Sequence, residues 1–160
     1  MLKVSPATAN AALNGTGFKE QFDGGLLYLF AGPVPDGAHH QLDMSALHTE
    51  VLVVSVDDSG TGLTFDAPEN GVLGKAIAET WSGTVGFDGF DAAEPALAPS
   101  FYRFCAAGDN GRGAANASTG YRVQGTVGGP NSGADLQLGN GTLTSGVIQP
   151  IGAFTWTIGG

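Results

Sequence analysis

The glycines constrain this chain more than any other feature. There are 27 of them in 160 residues, well above the usual share of about 7%. They follow no three-residue period, which excludes a collagen-like triple helix. They fall between short apolar runs, where tight turns need a positive φ that glycine adopts without strain. Many turns imply many short strands, and such chains form sandwiches or barrels. Hydrophobic residues make up 42% of the chain. A chain this long buries roughly 70% of its unfolded surface, so no disulfide or metal staple is needed.

The exception is the start. Ser5 followed by Pro6 is a helix N-cap with proline in the first turn. The spacing predicts one helix over Ala7 to Phe22, with Phe18 and Phe22 on one face and Gly24-Gly25 stopping it. Gly15 and Gly17 each oppose that helix by up to about 1 kcal/mol. Residues 1–24 are read as a helical arm and residues 25–160 as a β-sandwich domain.

Beyond the arm the pattern is β. Leu26 to Phe30 is a continuous apolar run suited to a strand covered on both faces. Further strands are predicted at Val51–Val56, Leu63–Phe65, Ala76–Trp81 and Phe101–Ala106, with turns at Asp57–Gly60 and Pro68–Gly71. Near the C-terminus, Tyr121, Val123 and Val127 alternate with Arg122, Gln124 and Thr126. Leu136 and Leu138 alternate with Asp135 and Gln137, and Phe154, Trp156 and Ile158 with Ala153, Thr155 and Thr157. The reading is all-β, sandwich- or jelly-roll-like, with about eight strands and a short N-terminal helix. Phe154, Trp156, Leu136, Val123 and Leu29 are core candidates; Thr155, Gln137 and Arg122 face outward. Two irregular stretches, Gly32–Ser45 and Gly83–Pro99, read as contact loops.

The search for chemistry finds no catalytic, cofactor-binding or metal-ligating residue to name. His39, His40 and His48 sit in no metalloprotease or nucleophile-elbow motif, and His39-His40 reads as a solvated loop. Asp57-Asp58 is adjacent on a turn, where the carboxylates diverge. Asp88, Asp91 and Glu94 lack the ligand spacing of a calcium loop. Gly108–Gly113 lacks the Lys-Ser/Thr of a phosphate cradle, and Gly128–Gly133 reads as a hairpin loop. Trp81 and Trp156 read as core rather than a sugar-stacking platform. Cys105, the lone cysteine, reads as a buried thiol and excludes an intramolecular disulfide. The sequons at Asn14, Asn116 and Asn140 read as turns.

Formal charge is −9, from 15 acidic and 6 basic residues. An acidic surface repels phosphate backbones and anionic membranes, so neither nucleic acid nor membrane is an expected partner. No run approaches the 18 apolar residues of a membrane span, and the start lacks an apolar core of signal-peptide length. Synthesis in a reducing cytoplasm is the expectation.

The order of segments resembles a family of small virion structural proteins of tailed bacteriophages. The matching pieces are Gly17–Glu20, Gly24–Pro33, Gly62–Pro68 with Gly71–Leu73, Glu79–Thr84, the aromatic-Arg-Phe segment Tyr102–Cys105, Gln124–Gly128 and Ser132–Leu136. Residues 36–50 and 85–99 depart from the pattern. The resemblance implies a non-enzymatic virion protein at the capsid surface, similar to head decoration or cement proteins, made in a host bacterial cytoplasm. Its implied partners are the major capsid protein and other copies of itself. The alternatives are a tail or baseplate component, a carbohydrate-binding module, and a hydrolase with an unrecognised site.

Overall fold

Leu26–Ala31 lies at the centre because it is paired along both edges and packed on both faces. The computed structural model describes residues 2–116 and 120–157. In chain order its elements are β1 (Lys3–Val4), α1 (Pro6–Leu13), α2 (Phe18–Phe22), β2 (Leu26–Ala31), β3 (Thr49–Val56), β4 (Val72–Gly74), β5 (Trp81–Thr84), β6 (Asp88–Gly89), β7 (Ala96–Leu97), β8 (Phe101–Cys105), β9 (Arg122–Gly128), β10 (Leu136–Gln137), β11 (Leu143–Thr144), β12 (Ile148–Ile151) and β13 (Thr155–Thr157). The protein is therefore all-β and sandwich-like, with a short helical N-terminus. Its strands outnumber the eight expected because several are two-residue pieces that show no alternation.

The main sheet runs β1-β9-β8-β2-β3-β5-β12, with β10 added to β9 and β6 to β3. Among the described residues, only the β9–β10 pairing is parallel. The Gly128–Gly133 stretch is thus not a hairpin loop: the chain turns at Asn131, whose φ is 60°, and returns alongside β9 in the same direction. On one face the sheet is covered by α2 and by two small sheets, β4–β13 and β7–β11. Between these layers lies an aromatic cluster of Phe22, Phe65, Trp81, Phe104, Phe154 and Trp156, all buried, with neighbouring centroids mostly 5–6 Å apart. The core candidates Leu29, Val123, Leu136, Phe154 and Trp156 are all buried, and Thr155 and Gln137 face water. Ile158 lies outside the described residues.

The predicted single helix is two. Ser5 caps α1 by accepting from the Thr8 amide at 3.3 Å, with Pro6 in the first turn. The helix ends at Leu13 because Gly15 adopts φ 92°; the chain restarts at α2 after Gly17. The glycine penalties outweigh helix continuity, while Phe18 and Phe22 keep their shared face, with rings 6.1 Å apart. Pairing of β1 with β9 and burial of Phe22 tie this segment to the sandwich.

Other assignments also change. Leu63–Phe65 is not a strand but makes isolated bridges, Leu63 with Gly25 and Phe65 with Lys75. Ala76–Thr80 is a turn, held by Lys75 Nζ donating to the Ala76 and Glu79 carbonyls, and only Trp81 enters a strand. The apolar Ile77, which suggested a strand, is 90% exposed. Gly83–Pro99 is not one projecting loop. It contributes β5, β6 and β7, and Gly83 passes so close to β3 that a Cβ there would lie 2.1 Å from the Val53 carbonyl oxygen. The open edge strand β12 is blunted: Pro150 has no N–H, and the Gln149 amide side chain donates to its carbonyl.

Candidate functional site

The second face of the sheet is where polar chemistry collects. Residues alternate across strands, so Tyr28, Arg103, Gln124 and Lys3 form one cross-strand row on this face, with Cys105 and Arg122 paired in a neighbouring row. Loops 32–48 and 106–116 lie over it. Arg122, expected to face outward, is buried instead, 3% exposed, and Gln124 on the same side of the strand is 1% exposed. The alternation was read correctly, but both faces of the sheet are covered, so the polar side of the strand is interior too.

Three arginines fasten these loops. Arg103 donates Nε to the Gln124 side-chain oxygen at 3.0 Å, Nη1 to the His40 and Gly111 carbonyls, and Nη2 to Gly37 O at 3.3 Å. Arg122 grips Asp109 with two bonds, at 2.6 and 2.8 Å, and also meets the Ala38 and Gly113 carbonyls. Arg112 reaches back to Glu50 and Asp88 on β3 and β6. The Gln124 amide donates to Pro35 O at 2.8 Å. Loop carbonyls that would otherwise be orphaned thus find strong donors. Burial, then the neighbouring Arg122 charge, depress the Arg103 guanidinium to about 10, which leaves it charged at neutral pH.

His48 fastens the same loops at the sheet's end. Its Nδ1 accepts from the Asp43 amide at 3.1 Å, so Nε2 carries the proton and donates to Pro33 O at 2.9 Å. Its own amide donates to Asp43 O, its carbonyl accepts from Phe90 N at 3.0 Å, and its ring meets Phe101 edge-on. The loop also places Ser45 Oγ 2.7 Å from Asp43 Oδ1. Serine, histidine and aspartate side by side suggest acyl transfer, yet both imidazole nitrogens are held by backbone and no base faces the hydroxyl.

The remaining candidates have structural partners. The His39 and His40 rings lie 4.3 Å apart, and among the described residues no group of three His, Cys, Asp or Glu is placed to hold a metal. Asp57 and Asp58 sit at φ 51° and 55° in the β3 turn, where Asp58 accepts from Thr84. Asp88 is in a strand and bound to Arg112, while Asp91 and Glu94 lie in the following turn. Cys105 is wholly buried, which raises its thiol pKa. Trp81 and Trp156 are buried and unable to stack on a sugar; Trp81 donates to Glu79. Asn14 caps α1 and Asn140 accepts from the Thr142 amide in a turn; the Asn116 sequon runs into residues outside those described.

Sequence reasoning missed the arginine network and the His48 hub. A signal was present: this chain has three arginines, and all lie between positions 103 and 122. Each of the six basic side chains donates to an acceptor on this chain: Lys3 to Pro35 O, Lys19 to Asp23, Lys75 to backbone, and the arginines as above. Meanwhile Glu20, Asp36, Asp43, Asp57, Asp58, Asp66, Glu69 and Glu94 are exposed.

Stability should respond to acid through this network. Burial opposes ionisation of Asp109, but bonds from Arg122 and the Gly111 amide outweigh it and hold its carboxyl below the ordinary range. A depressed folded-state value stabilises above the unfolded pKa, about 4, and that contribution is lost as pH falls through the folded value. Glu50 runs oppositely: burial raises it despite Arg112, so its charged form costs stability at neutral pH and acid relieves that cost. The Asp109→Asn variant should therefore show a lower neutral melting temperature and a flatter acid limb below about pH 4. An acid limb as steep as the parent's would contradict this assignment.

Among the described residues no helix is long and apolar enough to cross a membrane. No family model, curated protein or solved structure matches the chain, so its residues and fold carry the functional argument.

Proposed function

We propose that the protein is a non-catalytic structural component of a tailed-phage particle, a head decoration or cement protein that binds the assembled capsid. The observation that carries this reading is the division of charge. Each basic side chain is engaged by an acceptor on the chain itself, three of them to fix loops, and an acidic surface remains outside. Such a surface keeps free copies soluble and complements a basic shell. Rigid loops lose little entropy on docking, and many modest contacts repeated over a lattice sum to firm attachment. The resemblance in segment order names the kind of assembly. Copies would meet one another at symmetric or quasi-symmetric positions on the shell, beside the major capsid protein.

A cement protein spans neighbouring subunits, so its site exists only after assembly. Purified protein should co-sediment with undecorated expanded shells, bind free capsid subunits poorly, and detach as salt rises. Equal binding to shells and free subunits would overturn the decoration reading. Attachment to tails alone would replace it with a tail component.

A further inference from the structure

His48 is buried, but three apolar residues near it are exposed. Leu47 precedes it in the chain, Phe90 lies opposite it across β3 and β6, and Val34 follows the proline whose carbonyl its ring holds. These three side chains are 51%, 55% and 41% exposed. Val34 and Phe90 come from the two irregular stretches of the sequence, and Leu47 from just beyond the first; the fold brings them to one end of the sheet.

The surface is built rather than loose. Asp91 N donates to Thr49 Oγ1 at 2.8 Å, and Asp43 Oδ1 accepts from the Ser45 and Ala46 amides at 3.0 Å. Gly89 holds φ 131°, where a Cβ would lie 2.5 Å from His48 O and 3.1 Å from the Met44 methyl. Its rim is acidic. Asp43, Asp91 and Glu94 stand beside the apolar residues, and the nearby bases are engaged: Arg112 faces both Glu50 and Asp88, and Lys3 donates to the Pro35 carbonyl.

We propose that the apolar surface centred on His48, with Leu47 and Phe90 exposed and Asp43, Asp91 and Glu94 at its rim, docks a protein element presenting apolar side chains flanked by lysines or arginines. The charge decides the occupant. A second copy would bring the same carboxylates against these, and like charges disfavour that pairing. An apolar partner of neutral charge would leave the rim uncompensated. The inference deepens the structural reading above and rests on it.

The probe is a fluorescein-labelled twelve-residue peptide of alternating leucine and lysine, followed by anisotropy. A second peptide has every leucine replaced by serine. The first should bind, and Phe90→Ser or Leu47→Ser should weaken it about tenfold, the loss of one anchoring contact. The serine peptide should bind far less tightly. Asp91→Asn with Glu94→Gln should weaken binding severalfold, and Asp57→Asn with Asp58→Asn at the remote turn should not. Both serine variants change exposed residues, so their melting temperatures should match the parent's. No binding, equal binding of both peptides, or equal loss from the remote pair would overturn the proposal. Shell attachment unaffected by Phe90→Ser and Leu47→Ser would remove the docking face and leave the decoration reading standing. Peptide binding with the expected pattern, but no attachment to shells, would do the reverse.

Discussion

Arg103→Ala will lower the melting temperature by about 6–20 °C. Its guanidinium is fully buried and bonds to Gln124 and to the carbonyls of Gly37, His40 and Gly111. Truncation leaves these acceptors without donors, at about 1–3 kcal/mol each where water cannot reach, and opens a cavity against Phe101. Partial rescue by water brings the expected total to about 3–5 kcal/mol. At this chain length each kcal/mol shifts the midpoint by about 2–4 °C. Arg103→Lys should recover little, because an ammonium cannot serve four acceptors spread in a plane. Before global unfolding, amide exchange should quicken in residues 37–42 and 108–113, the loops it fastens. Calorimetry and exchange that leave both loops as protected as the parent's would refute the fastening role.

Trp156→Ala is expected to cost a similar amount, about 3–5 kcal/mol, by a different route. Trp156 is 1% exposed and packs against Phe22, Phe65, Phe104 and Phe154, and its indole N–H donates to the Tyr102 hydroxyl at 3.1 Å. Truncation removes a large apolar surface and leaves that hydroxyl without its donor. The residue joins the β4–β13 sheet to the main sheet, opposite Leu73 in register. The loss should therefore be global: the unfolding midpoint falls while the protected loops of the other face hold until the whole domain melts. Trp156→Phe, which keeps most of the apolar volume, should lose less than half as much. An unchanged midpoint for Trp156→Ala would refute its place in the core.

These two residues also show what was legible from sequence. Trp156 alternates with Thr155 and Thr157, and alternation reports on a face correctly whenever one side is apolar. Arg122 and Gln124 alternate just as cleanly, yet alternation cannot say whether the polar side meets water or a second covering layer. That layer is made of loops 32–48 and 106–116, which carry no period, so nothing local revealed that they fold over β8 and β9. Asn70-Gly71 was readable as a turn, because its φ values of 51° and 77° are the ones that asparagine and glycine tolerate. The two-residue strands β6, β7 and β11 were not, since pairing over so short a length is set by neighbours rather than by propensity. The docking surface was half legible. Both loops stood out as irregular, but their meeting depends on His48, which reads in the sequence as an unremarkable residue before a strand.

The measurement that bears most directly on the central reading is an image of intact particles at a resolution where strands separate. The expected result is density for this sandwich on the outside of the head lattice, at positions bridging adjacent capsid subunits, with the Leu47–Phe90 end turned toward a basic shell surface. Density confined to the tail, or particles that lack the protein altogether, would contradict it.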